Sequence, residues 1–282
     1  MVSLATLTRQ RRAFGELFPA PLIHSAFTDR YGNDQKILNV RRDSDNAALD
    51  TSVYEFPNDL TSWVGANEGL VTEWSDLTGN GNHWTQATAA EQPKTITSGS
   101  VITDSGHTGV DFGSLSDATE LSAGSISVSG YDLTAFLVWN SDVATAPGQS
   151  GADSIFSFQG NQSDTRCYFG QGTSYTNNRM GARWGNTTAY NYNQDAPSSI
   201  SVLSFILTET DCDVWMNSTQ IGNHSITQGA TPPTSRSFRI GGAGAANRMD
   251  GRFYEAIIYD EALGASTRSG IADYLMGQYG AS

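Results

Sequence analysis

The stretch Asp250-Gly-Arg-Phe-Tyr-Glu-Ala-Ile-Ile-Tyr-Asp260 decides how this chain folds. Read with a period of two, Phe253, Ile257 and Tyr259 fall on one face, and Tyr254, Ala256 and Ile258 on the other. A strand that is apolar on both faces has to be covered on both, which places it inside a sheet rather than at an edge. Glycines lead into it, and Asp250-Gly251 supplies the turn. Beyond Asp260-Glu261, the spacing of Leu263, Ile271, Tyr274 and Leu275 predicts a short helix that stops at Gly280. Glu255 shares a face with Phe253 and Ile257, so it needs a cation, and Arg252 and Arg239 are the expected partners.

Outward from this strand, the chain reads as all-β. Short apolar runs such as Leu133–Trp139 and Val202–Leu207 are separated by turns rich in Gly, Ser, Asp and Asn; glycine numbers 29, and charged residues make up only 16% of 282. This length is enough for one large sandwich without staples. No apolar run reaches the ~18 residues of a membrane span, and Met1–Arg12 lacks the apolar core of a secretory signal, so a soluble protein made in the cytoplasm is expected. Net charge is −13, but residues 1–42 carry +4 and the remainder −17. An acidic body excludes nucleic acid as its partner. The basic start, with Arg9, Arg11 and Arg12 beside Phe14 and Phe18, reads as an attachment arm seeking a neighbour's surface; pairing with the chain's own acidic body is the other reading. Cys167 and Cys212 are expected as two buried thiols.

Three blocks carry a resemblance. The late strand with its helix, together with Val71-Thr-Glu-Trp-Ser-Asp-Leu-Thr-Gly-Asn-Gly-Asn-His-Trp-Thr-Gln86, resembles concanavalin A-like lectin/glucanase domains of the laminin-G-like type found in bacterial and bacteriophage proteins. Val40-Arg-Arg-Asp-Ser-Asp-Asn-Ala-Ala-Leu-Asp50 is similar to the opening of phage relatives of the alpha-L-arabinofuranosidase B catalytic domain. The resemblance implies a jelly-roll sandwich of two antiparallel sheets over residues 51–282, a short C-terminal helix, and an extended N-terminal arm over residues 1–50. It also implies a non-enzymatic virion protein, a capsid decoration or tail/fibre component present in many copies, with other virion proteins as partners of the arm and a glycan as ligand. The alternative it leaves open is a jelly-roll glycoside hydrolase acting on plant or bacterial polysaccharide.

Candidate sites follow from residue types. Within residues 167–195, Tyr175, Trp184, Tyr190 and Tyr192 offer flat faces for sugar C–H surfaces, and Asn178, Arg179 and Arg183 offer donors for hydroxyls. The alternation of Met180, Ala182 and Trp184 with Arg179 and Arg183 fits an inner and an outer strand face equally. Asp76, Asn80 and Asn82 are oxygen donors of the type calcium takes, and also of the type that caps a turn; no other cofactor is indicated. A glycosidase needs two opposed carboxyl groups. Glu209, Asp211 and Asp213 alternate, but sit where a hairpin turn precedes the Val214–Asn217 run, so no catalytic residue is assigned.

Overall fold

The computed structural model describes residues 14–28, 30–31, 35–52, 55–113, 119–142, 153–160, 166–171, 179–184, 188–227, 231–242 and 249–282. These form an antiparallel β-sandwich of two layers with a helix, Ala265–Tyr279, near the C-terminus. The first layer runs through Ile23–Ala26, Gly251–Tyr259, Leu133–Ser141, Ser201–Leu207, Asp211–Met216 and Thr219–Ser225. The second runs through Ala48–Ser52, Lys36–Arg42, Gly69–Trp74, Trp84–Thr85, Leu121–Ser127, Ser235–Ile240, Asp153–Gly160, Arg166–Gln171, Arg179–Trp184 and Thr188–Asp195. The layers are not separate sheets. At one edge Lys94–Thr97 pairs with Gly69–Trp74, and Val110–Asp111 bridges from Lys94 to Gly251–Tyr259.

Burial on both faces explains the near-continuous apolar runs of the first layer. Leu133, Leu137, Trp139, Leu203, Phe205, Phe253 and Ile258 face Trp74, Trp84, Phe156, Phe158 and Phe238 of the second layer. On the opposite side, Phe136, Val138, Val202, Tyr254, Ile257 and Tyr259 pack beneath Ile271, Ala272, Leu275 and Tyr279 of the C-terminal helix. Arg268, Ile271, Ala272, Leu275 and Tyr279, its buried residues, recur at three- and four-residue spacing and form the stripe that seats the helix. Gly280, at φ 65°, ends it in the left-handed region that a side chain would resist.

Gly251–Tyr259 lies inside the sheet, with Leu133–Ser141 on one edge and Ile23–Ala26 followed by Val110–Asp111 on the other. The simple period-two reading fails at one point. Opposite Trp139 and Val138 stand Phe253 and Glu255, so Tyr254 is an inserted bulge residue. Phe253 therefore shares the inner face with Ala256 and Ile258, while Tyr254 joins Ile257 and Tyr259 under the helix. The face assignment from the sequence is corrected accordingly.

The partners of Glu255 are also corrected. Its carboxylate, fully buried, accepts from His24 Nε2 (2.7 Å), Arg30 Nε (3.1 Å) and the Tyr279 hydroxyl (2.9 Å), and is paired with Arg30 through a second guanidinium nitrogen as well. Arg30 also donates to the Tyr274 hydroxyl and Gln278 Oε1, both at 3.2 Å. Arg252 and Arg239, the expected partners, bind other carboxylates.

This cluster redraws the N-terminal boundary. Ile23–Ala26 is a strand buried at all four positions, Ile37, Leu38 and Val40 belong to the core between the layers, and Phe14 is buried against His24, Phe18 and Tyr274. An arm of 50 residues outside the core is thus not what forms: the described residues between 14 and 50 contribute strands and core. Of the proposed attachment residues, Phe14 packs within the sandwich and Phe18 is half-buried on Tyr274, while Arg9, Arg11 and Arg12 lie outside the described residues.

Two outcomes follow. Arg30→Met leaves a buried carboxylate without its cation and is expected to cost about 3–5 kcal/mol in denaturant unfolding at neutral pH. Burial depresses the His24 pKa below its ordinary 6.5, against the opposing pull of Glu255. Burial would raise that of Glu255, but Arg30 and His24 override it and hold the group down to about 2. Both groups bind protons more readily when unfolded, so their contribution is complete at neutral pH and is lost on acidification. The melting temperature should begin to fall as pH drops below 6.5 and fall further through the carboxylate range, in a pH series of thermal melts.

Candidate functional site

The two layers differ on their outer faces. The first is roofed by the C-terminal helix, whereas the second keeps polar residues outward in one register across successive strands. Glu73 stands beside Thr85, Thr85 beside Ser122, Ser122 beside Arg239, and Arg239 beside Ser157. The same register continues to the positions of Tyr168 and Arg183. Strands lie roughly 4.8 Å apart, so the row presents one side chain at each such step from Glu73 to Arg239, while Ser157 is covered and its hydroxyl donates to the Gly242 carbonyl. Arg239, 41% exposed, pairs with Glu120 at 3.2 Å, and exposed Gln159 stands beside half-buried Ser237 two residues further along the strands. The face thus offers a cation, a carboxylate, amides and hydroxyls on a rigid backbone.

Arg179–Trp184 and Thr188–Asp195, the strands of the expected sugar site, form a hairpin at the far end of this layer. The structure describes Arg179, Arg183, Trp184 and Tyr190 as strand positions; Tyr175 and Asn178 lie outside the described residues. Met180 and Ala182 are buried in the core, which is the inner half of the anticipated alternation. Tyr192 is corrected. At 1% exposure it stacks on His224 of the first layer, with ring centroids 5.3 Å apart, so its ring joins the two layers and is not presented to a ligand.

A cavity of about 510 Å³ opens at the edge where the layers meet, lined by Leu70, Gln92, Lys94, Thr97, Asp111 and Thr119, with Ala89, Ala90, Ile102 and Gly113. A second register row builds it: Arg41 opposes Leu70, Leu70 opposes Lys94, Lys94 opposes Asp111, and Asp111 opposes Arg252. Lys94 pairs with Glu68 at 3.0 Å. Asp111 accepts from the Gly113 N–H (2.7 Å), and its other oxygen lies 3.4 Å from Arg252 Nε. Arg252 in turn holds Asp142 at 2.8 Å. Burial raises the Asp142 pKa; Arg252 opposes this, and Asp111 and Asp104 add to it. Gln92 fixes the wall by accepting from Arg41 and donating to the Gln86 carbonyl. Sequence reasoning missed Lys94 and Asp111. They are 17 positions apart, and only pairing of their strands brings them together.

The Asp76 loop is assembled as a turn. The carboxylate accepts from the backbone N–H groups of His24 (3.1 Å), Thr78 (3.0 Å) and Asn82 (3.1 Å) and from the Thr78 hydroxyl (2.8 Å). The side-chain amides of Asn80 and Asn82 both donate to the Leu22 carbonyl, tying the loop to the N-terminal segment. Among the described residues, no three His, Cys, Asp or Glu side chains converge as metal ligands. The acids at 209–213 take the turn geometry: Ser201–Leu207 and Asp211–Met216 form a hairpin, Glu209 is exposed in the turn, and Asp213 accepts from Gln220 and Asn223. Cys212 is a free, buried thiol whose pKa is raised by that burial.

No protein-family model matches the sequence, and no curated protein does. Solved structures do match. An alpha-L-arabinofuranosidase of glycoside hydrolase family 54, soaked with a cyclic sulfate inhibitor, superposes with TM-score 0.64 at 15% identity over 92% of this chain. An arabinofuranosidase in complex with arabinofuranosyl-alpha-1,2-xylobiose gives 0.65 at 15% over the same share. A sialidase from Trypanosoma rangeli with the inhibitor DANA gives 0.52 at 14% over 75% of this chain and 32% of its own. The chain spans 63% of the length of the two arabinofuranosidases. The likeness is one of fold: a β-sandwich of the kind seen in carbohydrate-active enzymes.

Asp76→Ala removes the acceptor for three N–H groups and is expected to destabilise by about 1–3 kcal/mol, read by denaturant unfolding. Because the carboxylate acts as a turn anchor, the same loss should appear with calcium or with chelator present.

Proposed function

We propose that this protein is a non-enzymatic, lectin-like sandwich that binds an extended glycan along the uncovered face of its second layer and acts in many copies on a bacteriophage particle. The observation that carries the glycan reading is the outward polar row from Glu73 through Thr85 and Ser122 to Arg239, in register across four strands. Its step from strand to strand is close to the length of one sugar unit in an extended chain. Hydroxyl-rich ligands need paired donors and acceptors on a rigid surface, because each unmatched polar group costs affinity. The arabinofuranosidase complexed with arabinofuranosyl-alpha-1,2-xylobiose, 63% of which superposes on this chain, supports the same ligand class. A single open face binds weakly, at about millimolar, so many copies on one particle are needed for useful adhesion.

The virion setting rests on the resemblance of residues 40–50 and 71–86 to phage-type domains and on the basic residues Arg9, Arg11 and Arg12 ahead of the sandwich. In this reading the protein is made in the host cytoplasm and joins a capsid or tail fibre through residues 1–13, the part of the expected arm that precedes the folded strands. Glycan-array binding by protein displayed on beads is expected to fall at least about tenfold in the double variant Arg239→Ala/Gln159→Ala, at unchanged melting temperature. Deleting residues 2–13 should abolish particle incorporation and spare glycan binding. Incorporation that survives the deletion overturns the attachment reading.

A hydrolase reading is favoured by one feature, the two carboxyl groups of Asp111 and Asp142 on either side of Arg252, one with its pKa raised by burial. Release of reducing sugar from arabinan or xylan, lost in Asp142→Asn, would replace binding with catalysis.

A further inference from the structure

The cavity where the layers join is a second site, distinct from the open face. We infer that it takes the terminal unit of a neutral sugar, held end-on by a vicinal pair of hydroxyls between Lys94 and Asp111. These residues are direct partners on neighbouring antiparallel strands, and both line the cavity. An ammonium has three donors, and a carboxylate about four acceptor positions. Lys94 is paired with Glu68, and Asp111 has one short hydrogen bond, from Gly113, with Arg252 at the longer 3.4 Å. Capacity for further bonds therefore remains on each, of opposite polarity and side by side.

A vicinal diol is the group that matches this pair. One hydroxyl accepts from Lys94 Nζ while its neighbour donates to the Asp111 carboxylate, so neither protein group loses its hydrogen bonding on binding. Thr97 and Thr119 also line the cavity, their hydroxyls donating to Glu68 and to the Phe112 carbonyl, and Leu70, Ile102, Ala89 and Ala90 supply a small apolar surface for the C–H face of the ring. A cavity of about 510 Å³ suits a ligand of about one or two sugar units. Charge sets the class. Asp111 lines the cavity beside Lys94, whose own charge is matched by Glu68, in a chain of net charge −13; this disfavours uronic and sialic acids, whose carboxylates would meet Asp111. No aromatic ring lines the cavity among the described residues, so affinity is modest.

The test is ligand-observed saturation-transfer NMR on the full chain, with methyl glycosides of neutral pentoses and hexoses and with methyl glucuronide. At least one neutral glycoside is expected to bind with a dissociation constant of about 1–10 mM. Asp111→Asn and Lys94→Ala should each weaken it at least about tenfold, with melting temperatures kept close to the parent. Glu209→Ala, in the exposed turn of the other layer, should leave it unchanged. Three results overturn the site: no neutral glycoside binds, binding is indifferent to both substitutions, or the glucuronide binds more tightly than every neutral glycoside. Because the probes are single sugars, failure here leaves polymer binding on the open face to be judged by its own variants.

Discussion

A carboxylate with no exposure to water sits on an interior strand of the roofed layer, and much of the molecule is arranged to keep it charged. Glu255 draws His24 and Arg30 from the N-terminal segment and Tyr279 from the C-terminal helix. An ionised group in an apolar layer carries a penalty of several kcal/mol unless neighbours replace its water. Four bonds do so here, and the elements that supply them are those that close the sandwich at its two chain ends. His24 completes the arrangement: Nε2 lies 2.7 Å from the Glu255 carboxylate and Nδ1 2.8 Å from the Tyr31 hydroxyl, and burial lowers the pKa of the ring. The cluster therefore ties residues 24, 30 and 31 to a strand more than 220 positions away.

Roofing one layer has a consequence for the other. The helix covers the outer face of the first layer over Gly251–Tyr259, Leu133–Ser141 and Ser201–Leu207, and the outward face of the second is a broad surface that suits a partner. It is also the surface on which side chains can be polar without loss of core. Phe156, Phe158 and Phe238 turn inward, while Gln159, Ser237 and Arg239 on the same strands turn outward. The join between layers at Lys94 and Asp111 creates a different environment: opposite charges on adjacent strands, an apolar floor, and a concave shape. An extended chain suits the first surface, and a chain end suits the second.

Several features were legible in the sequence because they rest on local rules. The strand type of 251–259, its interior position, the helix stopping at Gly280 and the turn at 208–210 all follow from spacing, glycine and short polar residues. Asp76 as a turn anchor was equally readable, since its partners lie within a few residues apart from His24. Other readings failed because a non-local event intervened. The Tyr254 bulge shifts every later side chain in that strand by one face, and nothing in the residues themselves marks the insertion. The residues before 50 read as an arm because few of them show a period. Yet Ile23–Ala26 is buried by a strand at the other end of the chain.

The sequence by itself determined the class of the molecule: an antiparallel β-sandwich with a terminal helix, acidic in its body and basic at its start. Periodicity, turn chemistry and charge are properties of neighbouring residues, so they survive without a structure. What only the tertiary structure decided was which charges meet. Lys94 reaches Asp111, Arg252 spans Asp111 and Asp142, Glu255 takes its partners from residues 24, 30 and 279, and Tyr192 turns into the core. Each depends on strand register, and register is set by the packing of the whole sheet, where a slip of one residue would exchange the two faces.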